Sequence, residues 1–167
     1  MDRLKRLFNR RANNDKDPPL HQAVREGNLR KVKKLLEKGE NPNLPDKHHL
    51  MPLHYAAYWG ENEIATLLLK YGAKADTDNG LGWTPLHAAA FSGGLKTRKN
   101  MIDILTAAGG DLHKPDKRGC APKDYMLLWA PDEKAEKAVT DYLKVANKTG
   151  AAYTPPKRPA YTRTPKH

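Results

Sequence analysis

The chain of 167 residues has a single cysteine, Cys120. No internal disulfide is available, and a lone thiol suits a reducing compartment. Long apolar runs are also missing: no stretch reaches the ~18 consecutive apolar residues of a membrane-spanning helix. The opening Met1-Asp2-Arg3-Leu4-Lys5-Arg6-Leu7-Phe8 lacks both an extended apolar core and a small-residue cleavage site, so no secretory leader is expected. These absences together predict a cytoplasmic protein. Acidic residues are in short supply, 19 against 30 lysines and arginines. Residues 1–17 hold six basic and three acidic residues, and residues 147–167 hold five basic and none acidic. Most of the excess positive charge therefore belongs to the two ends. A nucleic-acid footprint needs its lysines and arginines on one face, so nucleic acid is an unlikely partner for the body of the chain.

What the chain has in abundance is internal repetition. Pro19-Leu20-His21-Gln22-Ala23-Val24 recurs as Pro52-Leu53-His54-Tyr55-Ala56-Ala57 and again as Pro85-Leu86-His87-Ala88-Ala89-Ala90, at a spacing of 33 residues. Gly27, Gly60 and Gly93 follow at a constant offset. Leu35-Leu36 closed by Gly39 matches Leu68-Leu69 closed by Gly72. A fixed period in the low thirties marks a stacked repeat protein. Each unit predicts a short helix opened by proline at its first position, where a missing N–H is harmless. A glycine ends that helix, and a second, amphipathic helix follows with Val32, Leu35 and Leu36 or Ile64, Leu67, Leu68 and Leu69 on its buried stripe. One unit cannot bury its own apolar face, so stability comes from stacking.

These motifs resemble the ankyrin repeat family, whose unit carries a Thr-Pro-Leu-His-x-Ala core. The resemblance covers residues 17–146 and implies an all-α solenoid of helix–turn–helix units joined by β-hairpin-like loops. We divide the chain into a basic amphipathic segment or cap at 1–16, repeats at 17–45, 46–78, 79–115 and 116–146, and a disordered basic, proline-rich tail at 147–167. The third repeat carries four extra residues between Gly93 and Gly109, expected to lengthen the loop between its helices. In the fourth, Lys123-Asp124 stands where the others have Leu-His, as befits a polar terminal cap.

In this family partners meet the hairpin tips and the exposed side of the first helices. The resemblance therefore places Leu50, Tyr58, Trp59, Leu81, Trp83, Phe91, Arg118 and Trp129 on a concave partner-binding surface. Tryptophan, tyrosine and arginine anchor interfaces more often than other residues, which favours a protein partner; the chain itself is expected to be a monomer. The resemblance also implies that His21, His54 and His87 hydrogen-bond between repeats. They lie too far apart to share a metal ion. His49 takes the place where the family's hairpin has glycine, and is expected at positive φ. No metal or other cofactor is expected, because no site has the ligand count that zinc needs. No catalytic residues are expected either: Cys120 and His113 come with no motif or pocket-forming element.

The function expected is that of a non-catalytic adaptor or inhibitor. The alternatives are a bacterial-type effector delivered into a host cell, or a peripheral membrane or nucleic-acid binder working through its basic ends. Leu4, Leu7 and Phe8 beside Arg3, Arg6, Arg10 and Arg11 give only weak affinity for a membrane surface. Pro156-Lys157-Arg158-Pro159 in the tail matches a minimal polyproline docking pattern.

Overall fold

A proline opens each short first helix, and the pattern holds four times in the computed structural model, which describes residues 17–92, 95–128 and 137–141. In chain order the helices are α1 (Pro19–Arg25), α2 (Leu29–Glu37), α3 (Pro52–Trp59), α4 (Asn62–Lys70), α5 (Pro85–Phe91), α6 (Leu95–Ala107) and α7 (Pro122–Leu128). Among the described residues there is no strand. Helices α1, α3, α5 and α7 pack in sequence to form an inner layer, and α2, α4 and α6 form an outer one.

The inner layer is close-packed because its contacts are small. Ala23, Ala56, Ala57, Ala88, Ala89 and Ala90 are all fully buried. Between the layers lie Leu20, Leu53 and Leu86 from the inner helices with Val32, Ile64, Leu68, Met101, Ile102 and Leu105 from the outer ones. The outer helices close on a common device. Gly39, Gly72 and Gly109 adopt φ near +90°. The next residue's N–H then reaches back to Leu35, Leu68 or Leu105 at 2.9–3.1 Å. Such a cap satisfies carbonyls that the helix end would otherwise leave bare.

One expectation changes here. The four extra residues of the third repeat extend a helix and not a loop: α6 has 13 residues where α2 and α4 have nine. Leu95-Lys96-Thr97-Arg98 holds neither glycine nor proline, and leucine, lysine and arginine are good helix formers. The chain also separates into two compact units, 1–129 and 130–167. In the second unit residues 137–141 are helical, with Val139 buried. The rest of the helix expected near Pro131–Ala146, the tail after Asn147 and the segment 1–16 lie outside the described residues, as does Trp129.

Candidate partner-binding surface

Three loops rise from the inner layer, and each is built on one acceptor side chain. Asp46 Oδ1 accepts the backbone N–H groups of His48 and Leu50 at 2.8 and 2.9 Å. Asn79 does the same for Leu81 and Trp83, and Asp116 for Arg118 and Cys120. Backbone bonds between the first and fifth residues close each loop, from Asp46 N–H to Leu50 O, from Asn79 N–H to Trp83 O and from Asp116 N–H to Cys120 O. The fourth residue has φ of +59° at His49, +76° at Gly82 and +77° at Gly119, so His49 does stand in the glycine position.

The motif histidines lock each loop to the repeat before it. His21 Nε2 donates to the Leu50 carbonyl at 2.9 Å, His54 Nε2 to that of Trp83 at 2.9 Å, and His87 Nε2 to that of Cys120 at 3.1 Å. The other ring nitrogen accepts from the residue that precedes the helix, Met51 N–H for His54 and Thr84 N–H for His87. The corresponding residue before α1 is Pro18, which has no N–H, and His21 Nδ1 is buried without a partner. Burial lowers the pKa of all three histidines, that of His54 to about 4. They are neutral structural donors. In the last repeat Asp124 Oδ2 takes the N–H of Ala121 at 2.8 Å, which reproduces half of the histidine's role. A carboxylate cannot donate onward to a further loop.

This locking revises the expected surface. Leu50 and Trp83 are buried, at 1% and 6% exposure, and are not available as partner anchors. Their carbonyls receive the histidines, which draws the loop stem inward and turns both side chains between repeats. Trp83 packs against Tyr125, His87 and Phe91 with ring centroids 5.2–5.9 Å apart. Arg25 is likewise buried. Its Nη1 donates to Asp17 Oδ2 at 2.7 Å, and its guanidinium lies over the Tyr55 ring.

The other expected positions fare differently. Tyr58 and Phe91 are half-buried and stack on one another across two repeats, at 6.4 Å and an interplanar angle of 25°. Trp59, also half-buried, meets Tyr58 edge-on at 5.1 Å. Leu81 is 57% exposed on the middle loop, and Arg118 is exposed on the third. Tyr58, Trp59, Leu81, Phe91 and Arg118 thus keep part or most of their surface exposed.

Sequence reasoning missed a second acceptor role of the loop aspartates. Tyr55 donates its hydroxyl to Asp46 Oδ2 at 2.5 Å, and Tyr125 to Asp116 Oδ2 at 2.8 Å. The signal was present: the repeat with Asn79 in place of aspartate has Ala88 in place of tyrosine. Burial, then the bond to the carboxylate, holds both phenols protonated far above the usual range.

Burial raises the Cys120 thiol pKa, and His113 Nδ1 contacts Lys123 Nζ at 2.6 Å. Among the described residues no three histidine, cysteine or acidic side chains cluster as a metal site. No described helix is long and apolar enough to cross a membrane.

Comparison with known proteins agrees with this geometry. A family model described as ankyrin repeats (3 copies) matches residues 20–116. The bovine inactive serine/threonine-protein kinase TEX14 is 35% identical over 115 residues, which cover 69% of this chain and 7% of that protein. The chicken nuclear factor NF-kappa-B p105 subunit is 35% identical over 103 residues, 60% of this chain and 10% of that protein. A putative ankyrin repeat protein of Rickettsia felis is 34% identical over 87 residues, 49% of this chain and 38% of that protein. The chain spans less than two-fifths of the length of each of these relatives. With loops, caps and histidine locks in place and the family model covering more than half of its length, the chain belongs to the ankyrin repeat family.

Proposed function

We propose that this chain is a non-catalytic adaptor or inhibitor that captures a folded partner protein on the inner-helix and loop surface around Tyr58, Phe91 and Leu81. Ankyrin repeats are generally protein-interaction modules, and the family is typically non-catalytic. The observation that carries the reading is the half-exposed Tyr58–Phe91 stack, which spans two repeats. Trp83 packs on Phe91 beneath it and anchors the loop that exposes Leu81. Such an arrangement offers rigid apolar area whose ordering is already complete before a partner arrives. Trp59 meets Tyr58 edge-on beside it, and Arg118 is exposed on the third loop. The single thiol supports a cytoplasmic location, and the small stack works as a monomer.

The test is affinity capture of the partner from the native cell, followed by calorimetry with the purified pair. Leu81→Ala and Phe91→Ala are each expected to weaken binding by about 2 kcal/mol. Arg118→Ala should change the salt dependence more than the affinity. Retention of full affinity in a Leu81→Ala/Phe91→Ala double variant that still unfolds cooperatively would remove this surface from recognition.

A further inference from the structure

The outer face of the first repeat has a charge pattern that stacking does not explain and helix stability explains only in part. Arg30, Lys31, Lys33, Lys34 and Lys38 are all exposed along α2 and its cap. Lys31 pairs with Glu26 at 3.2 Å, and Lys33 lies 3.8 Å from Glu37. Arg30, Lys34 and Lys38 have no carboxylate partner among the described residues. Their spacing of four residues aligns them in one stripe, with a rise of about 6 Å between neighbours.

Helix electrostatics accounts for part of this stripe only. Lys34 and Lys38 lie at the C-terminal end, where cations are favoured, but Arg30 lies in the first turn, where they are disfavoured. No acidic residue offsets it within that turn. The next repeat shows the opposite arrangement at the same positions. Glu63 is in the first turn of α4, and Lys70 is in the last.

The pattern extends to the whole chain. The first 38 residues contain twelve lysines and arginines against five acidic residues, whereas residues 39–146 contain thirteen against fourteen. The protein's cationic character is thus confined to its first repeat, the segment before it and the far tail.

We infer that the outer face of α2 docks on an anionic membrane surface through Arg30, Lys34 and Lys38. A bilayer fits better than a nucleic acid strand, because residues 29–38 include no aromatic side chain on which a base could stack. A cluster of about four to eight lysines and arginines on one helix is the pattern that attracts anionic lipid headgroups. This face belongs to the outer layer of helices, so docking does not cover Tyr58, Leu81 and Phe91.

The test is co-sedimentation of the full chain with vesicles of phosphatidylcholine containing roughly 30% phosphatidylserine, where each surface cation contributes measurably. The wild type should bind these vesicles and not pure phosphatidylcholine, and binding should weaken as salt rises past ~0.1 M. The variant Arg30→Gln/Lys34→Gln/Lys38→Gln should bind at least tenfold less, on the order of the loss of three membrane-facing cations. Arg30→Glu provides a second readout. It should weaken vesicle binding while raising the unfolding midpoint, since it restores the first-turn charge that α4 has. Unchanged vesicle binding by the triple variant overturns the inference. So does a wild type that ignores anionic vesicles, or one that binds a short DNA duplex in their place.

Discussion

At the scale of single residues, the loop crests separate two demands that usually coincide. His49, Gly82 and Gly119 share one left-handed backbone conformation, but only at Gly82 is space also short. A Cβ there would lie 2.7 Å from the Asp116 Cα, because Lys117 N–H bonds to the Leu81 carbonyl and brings the two loops together. His49→Gly should therefore stabilise the protein by about 1 kcal/mol through relief of the left-handed penalty. Gly82→Ala should destabilise it by more than that, through both strain and the clash. Chemical denaturation of the two variants checks the opposite signs. Tyr55 offers a third measurement. Tyr55→Phe removes the donor to Asp46 Oδ2 and leaves a buried carboxylate oxygen unsatisfied, at a cost of about 1–3 kcal/mol. Asp46→Asn combined with Tyr55→Ala, the pairing that the third repeat uses at Asn79 and Ala88, should recover part of the polar loss.

Among the elements, α6 is the one that departs from the repeat. Its additional turn reads as a loop in the sequence because period alone locates an insertion without stating its conformation. The composition of the segment, helix formers without a breaker, decides that. Lys99 and Asp103 add an i,i+4 ion pair at 2.8 Å on its exposed side. Four residues are close to one helical turn. Deleting residues 95–98 should thus keep Met101, Ile102 and Leu105 near their buried positions. Circular dichroism should lose the signal of about one turn, and unfolding should stay cooperative. Loss of cooperativity would show that the added turn packs into the stack.

For the whole molecule, the histidine locks make stability depend on pH. His21, His54 and His87 are neutral in the folded state and have lowered pKa values, so the unfolded chain binds protons first as pH falls. Stability is complete above the unfolded histidine value of about 6.5 and declines as pH falls from there toward 4. His54 alone, with its pKa at about 4, contributes about 3 kcal/mol to that loss. Denaturant midpoints measured at pH 7.5 and at pH 4.5 should differ clearly. An unchanged midpoint would mean that the three rings do not carry the inter-repeat bonds as neutral donors.

The architecture itself was legible in the sequence, because a stacked repeat writes its geometry at a fixed period. Proline at a helix start, glycine at a helix end and histidine three positions into the helix are local requirements, and each recurs in register. The same locality made the position of His49 readable. Which aromatics stay accessible was not local. Leu50 and Trp83 occupy loop positions that read as exposed, yet a histidine 29 residues earlier in the chain holds each stem against its own repeat. Leu50, Trp83 and Cys120 share one repeat position and are all apolar, whereas Leu81 has Arg118 and His48 as its counterparts. That contrast hinted at the outcome without deciding it. The sequence alone determined the family, the helix order and the caps, since these depend on neighbours along the chain. Only the tertiary structure decided the surface, because burial of a loop side chain is set by hydrogen bonds and packing between repeats.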